Sequence, residues 1–383
     1  MTFNNMYGGK LISEGGFGCI FYPSVNCDGS INKKKDYVSK IQRLNFSAKS
    51  EIQIGEKVKS LKGYKSFFAP IVSTCSIDVK KVKDKDKNKC TVFKKKNNGF
   101  TLMKVPYING TILFDHMLKV KNTSLFVSNI LNNYNHLLKA LKLLGNSGIV
   151  HFDIKGNNIM YNNDIKLPII IDFGLSIQVN KLTSENLKKY FYIYAPDYYI
   201  WPIEVHYLCM LIHDTPKPSK EDILNLIEIY INSNKSIVEN FSPDFIIEYK
   251  KLCYTQLVKY QEMGYKDSIL KIITYWKTWD NYAFSLLYFR FIYFFNTEGY
   301  KENNFIVYFS KILLQNIHPN PEKRLSIEQT IVNFNSFLYK ENDIRYDNIV
   351  KTVNNNREKI NNIIVKSKNN EKNKKRYSNL DVK

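Results

Sequence analysis

The chain has 383 residues, 44% of them hydrophobic, enough to fill the cores of two substantial lobes. Its 56 basic residues outnumber 35 acidic ones for a net charge of +21, yet only six of the basic residues are arginine, and asparagine and isoleucine abound while alanine is rare. That profile fits an AT-rich coding sequence, so the charge is discounted as a sign of specific nucleic-acid binding and kept as a salt-dependent attraction for acidic or anionic partners. No signal peptide or transmembrane segment is expected: MTFNNMYGGK lacks an apolar run, and the most apolar stretch, Phe284 to Phe295, is too short for a bilayer and carries Arg290. Cys19, Cys27, Cys75, Cys90, Cys209 and Cys253 show no metal-ligand spacing and are expected to be free thiols in a reducing compartment.

In chain order, LISEGGFGCIFY over residues 11–22 predicts a glycine-rich hairpin, with Ser13, Gly15 and Gly18 spaced as in G-x-G-x-x-G, Gly16 adding freedom and Phe17 at the tip. YVSKI, residues 37–41, predicts a strand carrying Lys40; Lys10, Lys33, Lys34 and Lys35 lack such alternating apolar neighbours. SAKSEIQIGEKVKSLKG predicts a helix capped within Ser-x-Lys-Ser, with Glu51 favoured over Glu56 as the acid at its apolar stripe. FTLMKVPYI, residues 100–108, predicts a strand containing Met103 and Lys104, ended by Asn109-Gly110.

The densest signal is GIVHFDIKGNNIMYNNDIKLPIIIDFG, residues 148–174. Asp153, Lys155 and Asn158 stand at 0, +2 and +5, and an apolar strand, Leu167 to Ile171, leads into Asp172-Phe173-Gly174. Any one of these acids read alone is a solvated loop acid or a helix cap; two ordered motifs joined by a turn and a strand are not so easily dismissed. Downstream come Trp201-Pro202-Ile203-Glu204, then Asp280 in WDNYAFSLL, then HPNPEKRLS with Arg324. Residues 205–279 carry helical patterns such as EDILNLIEIYINSN, and the tail ends in the basic run KSKNNEKNKKRYSNLDVK.

Taken together, from about residue 10 to 335, these motifs resemble the eukaryotic-type protein kinase family, Ser/Thr type, with H-R-D-L-x-x-x-N and D-F-G as the shared template. The resemblance implies a two-lobed α+β fold: a small antiparallel β-sheet lobe (1–108), a larger mainly helical lobe (109–338) with a helical insertion (205–279), and a basic, partly disordered tail (339–383). It implies ATP and Mg²⁺ as cofactors and protein substrates as partners. Asp153 would take the acceptor hydroxyl's proton and Lys155 would meet the γ-phosphate. Asn158 and Asp172 would hold Mg²⁺. Ser13, Gly15, Gly16, Phe17 and Gly18 would cover the phosphates, Lys40 would bind them with Glu51 as its partner, and Met103 or Lys104 would lie near the adenine. Asp280 would brace the backbone near His151, and Arg324 would pair with Glu204.

One departure bears on regulation. Phe152 stands where the family usually has Arg, so no cation beside Asp153 would receive a phosphate from the activation segment, and FYIYAPDYYIW is expected to order that segment by packing. Asparagine-rich, alanine-poor kinases with a long insertion resemble those of large DNA viruses, which implies infected-cell cytoplasm or virions. Two rival readings stay open: a pseudokinase scaffold that binds nucleotide without efficient turnover, supported by Ser13 and Phe152, and a non-protein kinase on the same fold.

Overall fold

The computed structural model describes residues 10–15, 18–32, 34–82, 87–94, 99–119, 123–293 and 304–340. Gly16, Phe17 and the basic run beyond residue 340 lie outside the described residues. The architecture is two-lobed α+β, with a smaller unit built on an antiparallel sheet and a larger, mainly helical one. Among the described residues, the first unit runs to Thr111 and takes in Met160–Ser176; the second comprises Ile112–Ile159 and the chain from Ile177 onward.

The smaller unit begins with β1 (Lys10–Glu14), β2 (Gly18–Tyr22) and β3 (Tyr37–Arg43), followed by α1 (Phe46–Lys59), β4 (Phe68–Ala69), β5 (Ser73–Ile77), β6 (Phe100–Pro106) and β7 (Gly110–Ile112). Five of these strands form an antiparallel sheet in the order β1-β2-β3-β6-β5. Period-two alternation sends Cys19 and Phe21 of β2 into one core with Ile41 and Leu102. Gly18 permits the close pairing at the head of β2, since a Cβ there would lie 2.7 Å from the Ile41 carbonyl oxygen. A second sheet orders β4, β10 (Leu167–Ile171), β9 (Ile159–Asn162) and β7, with β10 parallel to β4.

The free-thiol expectation fails in this unit. Cys19 is bonded to Cys90 and Cys27 to Cys75, while Cys209 and Cys253 remain free and buried. The partners lie 71 and 48 residues apart, a separation closed by the sheet and by the segment packed against it, which no local spacing announces.

The larger unit contains α2 (Leu113–Lys119), α3 (Thr123–Asn146), the short pair β8 (Ile149–Val150) and β11 (Ile177–Gln178), then α4 (Leu187–Tyr190) and α5 (Ile203–His213). Residues 205–279 complete α5 and build α6 (Lys220–Ser233), α7 (Lys235–Val238), α8 (Pro243–Met263) and α9 (Tyr265–Ile273). After them come α10 (Trp279–Ile292), α11 (Asn304–Asn316) and α12 (Ile327–Lys340). The core is aromatic: Tyr134 of α3 stacks on Phe284 at 5.0 Å and meets Tyr288, Phe309 and Phe334 edge-on. Helix α10, which takes in Phe284–Ile292 of the apolar stretch read in the sequence, is buried along nearly its whole length. Tyr230 of α6 and Tyr249 of α8 hydrogen-bond with Tyr282 of α10, so α6 and α8 are tied to α10 through buried hydroxyls. No helix among the described residues is long and apolar enough to cross a membrane.

His206 of α5 is fully enclosed, with ring neighbours Trp201 and Tyr230, and burial pushes its imidazolium down to about 3. An unfolded chain takes up that proton below about pH 6.5, whereas the native chain refuses it until about pH 3. The stabilisation is therefore whole above pH 6.5 and is lost as pH falls toward 3, about 5 kcal/mol across the window. Urea denaturation of wild type and His206→Leu at pH 7, 5 and 4 checks this: the gap between them should shift progressively in favour of the variant as pH falls, and a constant gap would contradict it.

Candidate active site

In the smaller unit, β3 presents Lys40 between Ile20 of β2 and Met103 of β6. Its Nζ lies 2.8 and 2.9 Å from the two carboxylate oxygens of Glu51 and 2.9 Å from Asp172 Oδ1. Burial by itself would lower the Lys40 ammonium's pKa, but Asp172 and Glu51 more than offset it and hold the value above that of an ordinary lysine. Glu51 faces inward with Ile54 and Val58 of α1, whereas Glu56 is exposed and pairs with Lys59 at 2.7 Å. The helix cap differs from the expected one: Asn45 accepts from Ala48 N–H at 3.0 Å, and Ser47 lies inside the first turn. Ser47 Oγ instead reaches the carbonyl of Gly174.

Asp172 has a positive φ of 63°, and its carboxylate also accepts from Gly174 N–H at 3.2 Å. A Cβ at Gly174 would lie 3.2 Å from that carboxylate oxygen and 3.4 Å from Lys40 Nζ, so glycine leaves room for the Lys40–Asp172 pair. The Asp172 side chain is 43% exposed, the open member of an otherwise buried triad. Ser13 sits on β1 opposite Ile20, and Gly15 N–H closes the hairpin onto the Gly18 carbonyl at 2.9 Å. Met103 is fully buried beside Ala48 and Ile71, and its side chain fills core.

In the larger unit, the loop after β8 carries Asp153, Lys155 and Asn158. Lys155 Nζ lies 3.0 Å from Asp153 Oδ1. Asn158 Nδ2 donates to the Asp153 carbonyl at 2.9 Å and to Oδ2 at 2.8 Å, which turns its amide oxygen away as the atom able to meet a cation. Phe152 has φ of 66°, a conformation that costs an aromatic residue about 1–3 kcal/mol. Asp280 holds it there, accepting from the N–H groups of His151 at 2.7 Å and Phe152 at 2.8 Å, while Trp201 Nε1 donates to the Phe152 carbonyl at 2.8 Å. The Phe152 ring stacks on Trp201 at 4.6 Å and touches Phe191 and Trp279. Aromatic packing thus occupies the place where the family's arginine would stand.

Two neighbours of this loop had no role at Asp153 assigned from the sequence, where Trp201 stood only at the head of Trp201-Pro202-Ile203-Glu204. Tyr198 donates its hydroxyl to Asp153 Oδ1 and lies 3.1 Å from Lys155 Nζ, and Trp201 anchors the loop from the other side. Asn158 and Asp172 both offer oxygen, the donor type a hard divalent cation takes. Among the described residues Glu14, Cys19 and Cys90 also cluster, but the two sulfurs are bonded to each other and offer no thiolate.

The sequence model described as the protein kinase domain matches residues 88–334, well over half of the chain. The chain therefore belongs to the protein kinase family. It is 26% identical over 145 residues to serine/threonine-protein kinase CST20 of Candida albicans, covering 35% of this chain and 12% of that protein. It is 30% identical over 93 residues to the human cell division cycle 7-related protein kinase (24% and 15%), and 32% identical over 106 residues to GLH-binding kinase 1 of Caenorhabditis elegans (24% and 27%). The matches thus span no more than about a quarter of the length of these relatives.

Proposed function

We propose that the chain transfers the γ-phosphate of ATP to serine and threonine hydroxyls of protein substrates. The observation that carries the reading is the intact Asp153–Lys155–Asn158 constellation, in which a buried carboxylate is oriented by an amide and faced by an ammonium. A proton acceptor placed this way suits the attack of a hydroxyl, and phosphoryl transfer asks for little else beyond alignment and neutralised charge. Asp153 accepts the proton of the attacking hydroxyl, and Lys155 neutralises charge on the transferred group. Lys40, held by Glu51, binds phosphate oxygens under the hairpin of Ser13, Gly15, Gly16, Phe17 and Gly18. Asn158 and Asp172 are the oxygen donors offered to Mg²⁺, which when bound neutralises phosphate charge.

The pseudokinase reading loses ground because no group needed for transfer is missing. The Ser/Thr preference is supported by Lys155 two residues after the acid and by the similarity to a serine/threonine-protein kinase of Candida albicans. On this reading residues 1–108, 109–338 with the insertion 205–279, and 339–383 act as sheet lobe, helical lobe and basic tail. Kinship with the kinases of large DNA viruses is proposed from composition and the length of the insertion alone. The test is transfer of labelled phosphate from ATP to a basic protein acceptor, using enzyme first treated with phosphatase. Turnover with phosphoserine and phosphothreonine as products is expected, because aromatic packing replaces the phosphate-receiving arginine. Product dominated by phosphotyrosine would overturn the specificity, and absence of turnover the activity.

A further inference from the structure

We infer that Tyr198 is a positioning residue for the transfer, its phenol locking Asp153 and Lys155 into one working geometry. The inference rests on the kinase reading for what that geometry does, and on four contacts for the geometry itself. The hydroxyl donates to Asp153 Oδ1, the same oxygen that meets Lys155 Nζ at 3.0 Å, and lies 3.1 Å from that Nζ. The Lys155 ammonium also lies 5.5 Å from the Tyr198 ring centroid, within cation–π range. Burial and the adjacent Asp153 raise the phenol's pKa, so it stays protonated and can serve as the donor.

The phenol is anchored. Its ring meets Trp201 edge-on at 5.0 Å, and Trp201 is fixed by stacking on Phe152 and by its bond to the Phe152 carbonyl. The turn is closed by Tyr198 N–H to the Ala195 carbonyl at 2.9 Å and Trp201 N–H to the Tyr198 carbonyl at 3.2 Å. A plug that withdraws to admit substrate would need a weakly held side chain; this one is braced from the backbone of the same loop that bears Asp153. With Asn158 on Oδ2 and Tyr198 on Oδ1, the carboxylate is held at both oxygens, which sets the direction of its remaining lone pairs. Pre-set orientation of this kind acts on the chemical step more than on binding.

The test compares wild type, Tyr198→Phe and Lys155→Ala with the corresponding double variant. Tyr198→Phe keeps the ring on Trp201 and removes only the hydroxyl, so its melting temperature should match wild type within a few degrees. Its kcat should fall about 10- to 100-fold with KM for ATP changed less than threefold, and in the Lys155→Ala background the same substitution should cost less than threefold. A second readout needs no turnover: acylation of Lys155 by an amine-reactive ester, followed by peptide mapping, should speed up severalfold in Tyr198→Phe. If wild type has no activity, the proposed function fails while the labelling still decides the geometry. Unchanged Lys155 reactivity would overturn the inference, as would a kcat that is unchanged or raised, the latter marking Tyr198 as a block on the acceptor site.

Discussion

Asp153→Asn and Asp172→Ala should each reduce phosphoryl transfer by at least two to four orders of magnitude, and they should do so differently. Asparagine at 153 cannot take up the hydroxyl's proton, and loss of a positioned general base typically costs about 10²–10⁴-fold. It also presents an amide to Asn158 Nδ2, Lys155 Nζ and the Tyr198 hydroxyl, all of which donate to the carboxylate in the native loop. The groups proposed to bind nucleotide in the smaller unit, Lys40, Glu51 and Asp172, are unchanged, so this variant should still bind ATP with Mg²⁺. Alanine at 172 removes the oxygen ligand proposed for Mg²⁺ and the half-exposed partner of Lys40. Lys40 keeps Glu51, but on the proposed mechanism Mg²⁺ would have one donor fewer, so nucleotide binding should weaken together with turnover. Calorimetric titration with ATP and Mg²⁺ beside single-turnover transfer separates the two outcomes. Ordinary turnover by Asp172→Ala at millimolar Mg²⁺ would remove the proposed mechanism.

How much of this was legible in the sequence depended on distance along the chain. Asp153, Lys155 and Asn158 fall within six residues, so one loop conformation brings them together and their spacing could be read directly. The choice between Glu51 and Glu56 also had a readable signal. Ile54 and Val58 stand three and seven residues beyond Glu51, on its helical face, whereas Glu56 points away and is exposed. The cap was misread because Asn45 and Ser47 are both good N-cap types two residues apart, and only the backbone decides between them. The disulfides and Tyr198 had no such signal. Cys19 and Cys90 are 71 residues apart and are joined only by the tertiary fold, and nothing in FYIYAPDYYIW distinguishes Tyr198 from its neighbour Tyr199, whereas the turn at Ala195–Trp201 aims Tyr198 at Asp153.

Arg324→Ala should be the most destabilising single substitution outside the aromatic core, by about 3–5 kcal/mol. The Arg324 and Glu204 side chains are both fully excluded from solvent and form a bidentate pair, Nη1–Oε1 at 2.6 Å and Nη2–Oε2 at 2.8 Å. The remaining guanidinium hydrogens are directed to the His318 carbonyl at 2.7 Å, Thr278 Oγ1 at 3.1 Å and the Pro319 carbonyl at 3.5 Å, and the ring of Tyr282 lies 4.8 Å from the guanidinium carbon. Burial alone would lower the Arg324 pKa, but Glu204 more than offsets it, so the cation is held more firmly than an ordinary arginine. Truncation leaves the Glu204 carboxylate buried without its counter-charge and strips the guanidinium from the ring of Tyr282, whose hydroxyl bonds with Tyr230 and Tyr249 tie α6 and α8 to α10. For a unit of this size the loss corresponds to a fall in melting temperature on the order of 10 °C. Lys251→Ala is the contrast: that lysine faces Glu248 at 3.4 Å with both side chains more than 60% exposed, and its loss should cost less than about 0.5 kcal/mol. Replacing both partners, Glu204→Leu with Arg324→Met, should be less harmful than Arg324→Ala alone, because no charge is then left unpaired. Thermal melts of the four proteins decide the matter: an Arg324→Ala variant melting within a degree of wild type would show that the pair, although buried, does not hold the end of the activation segment to the late helices.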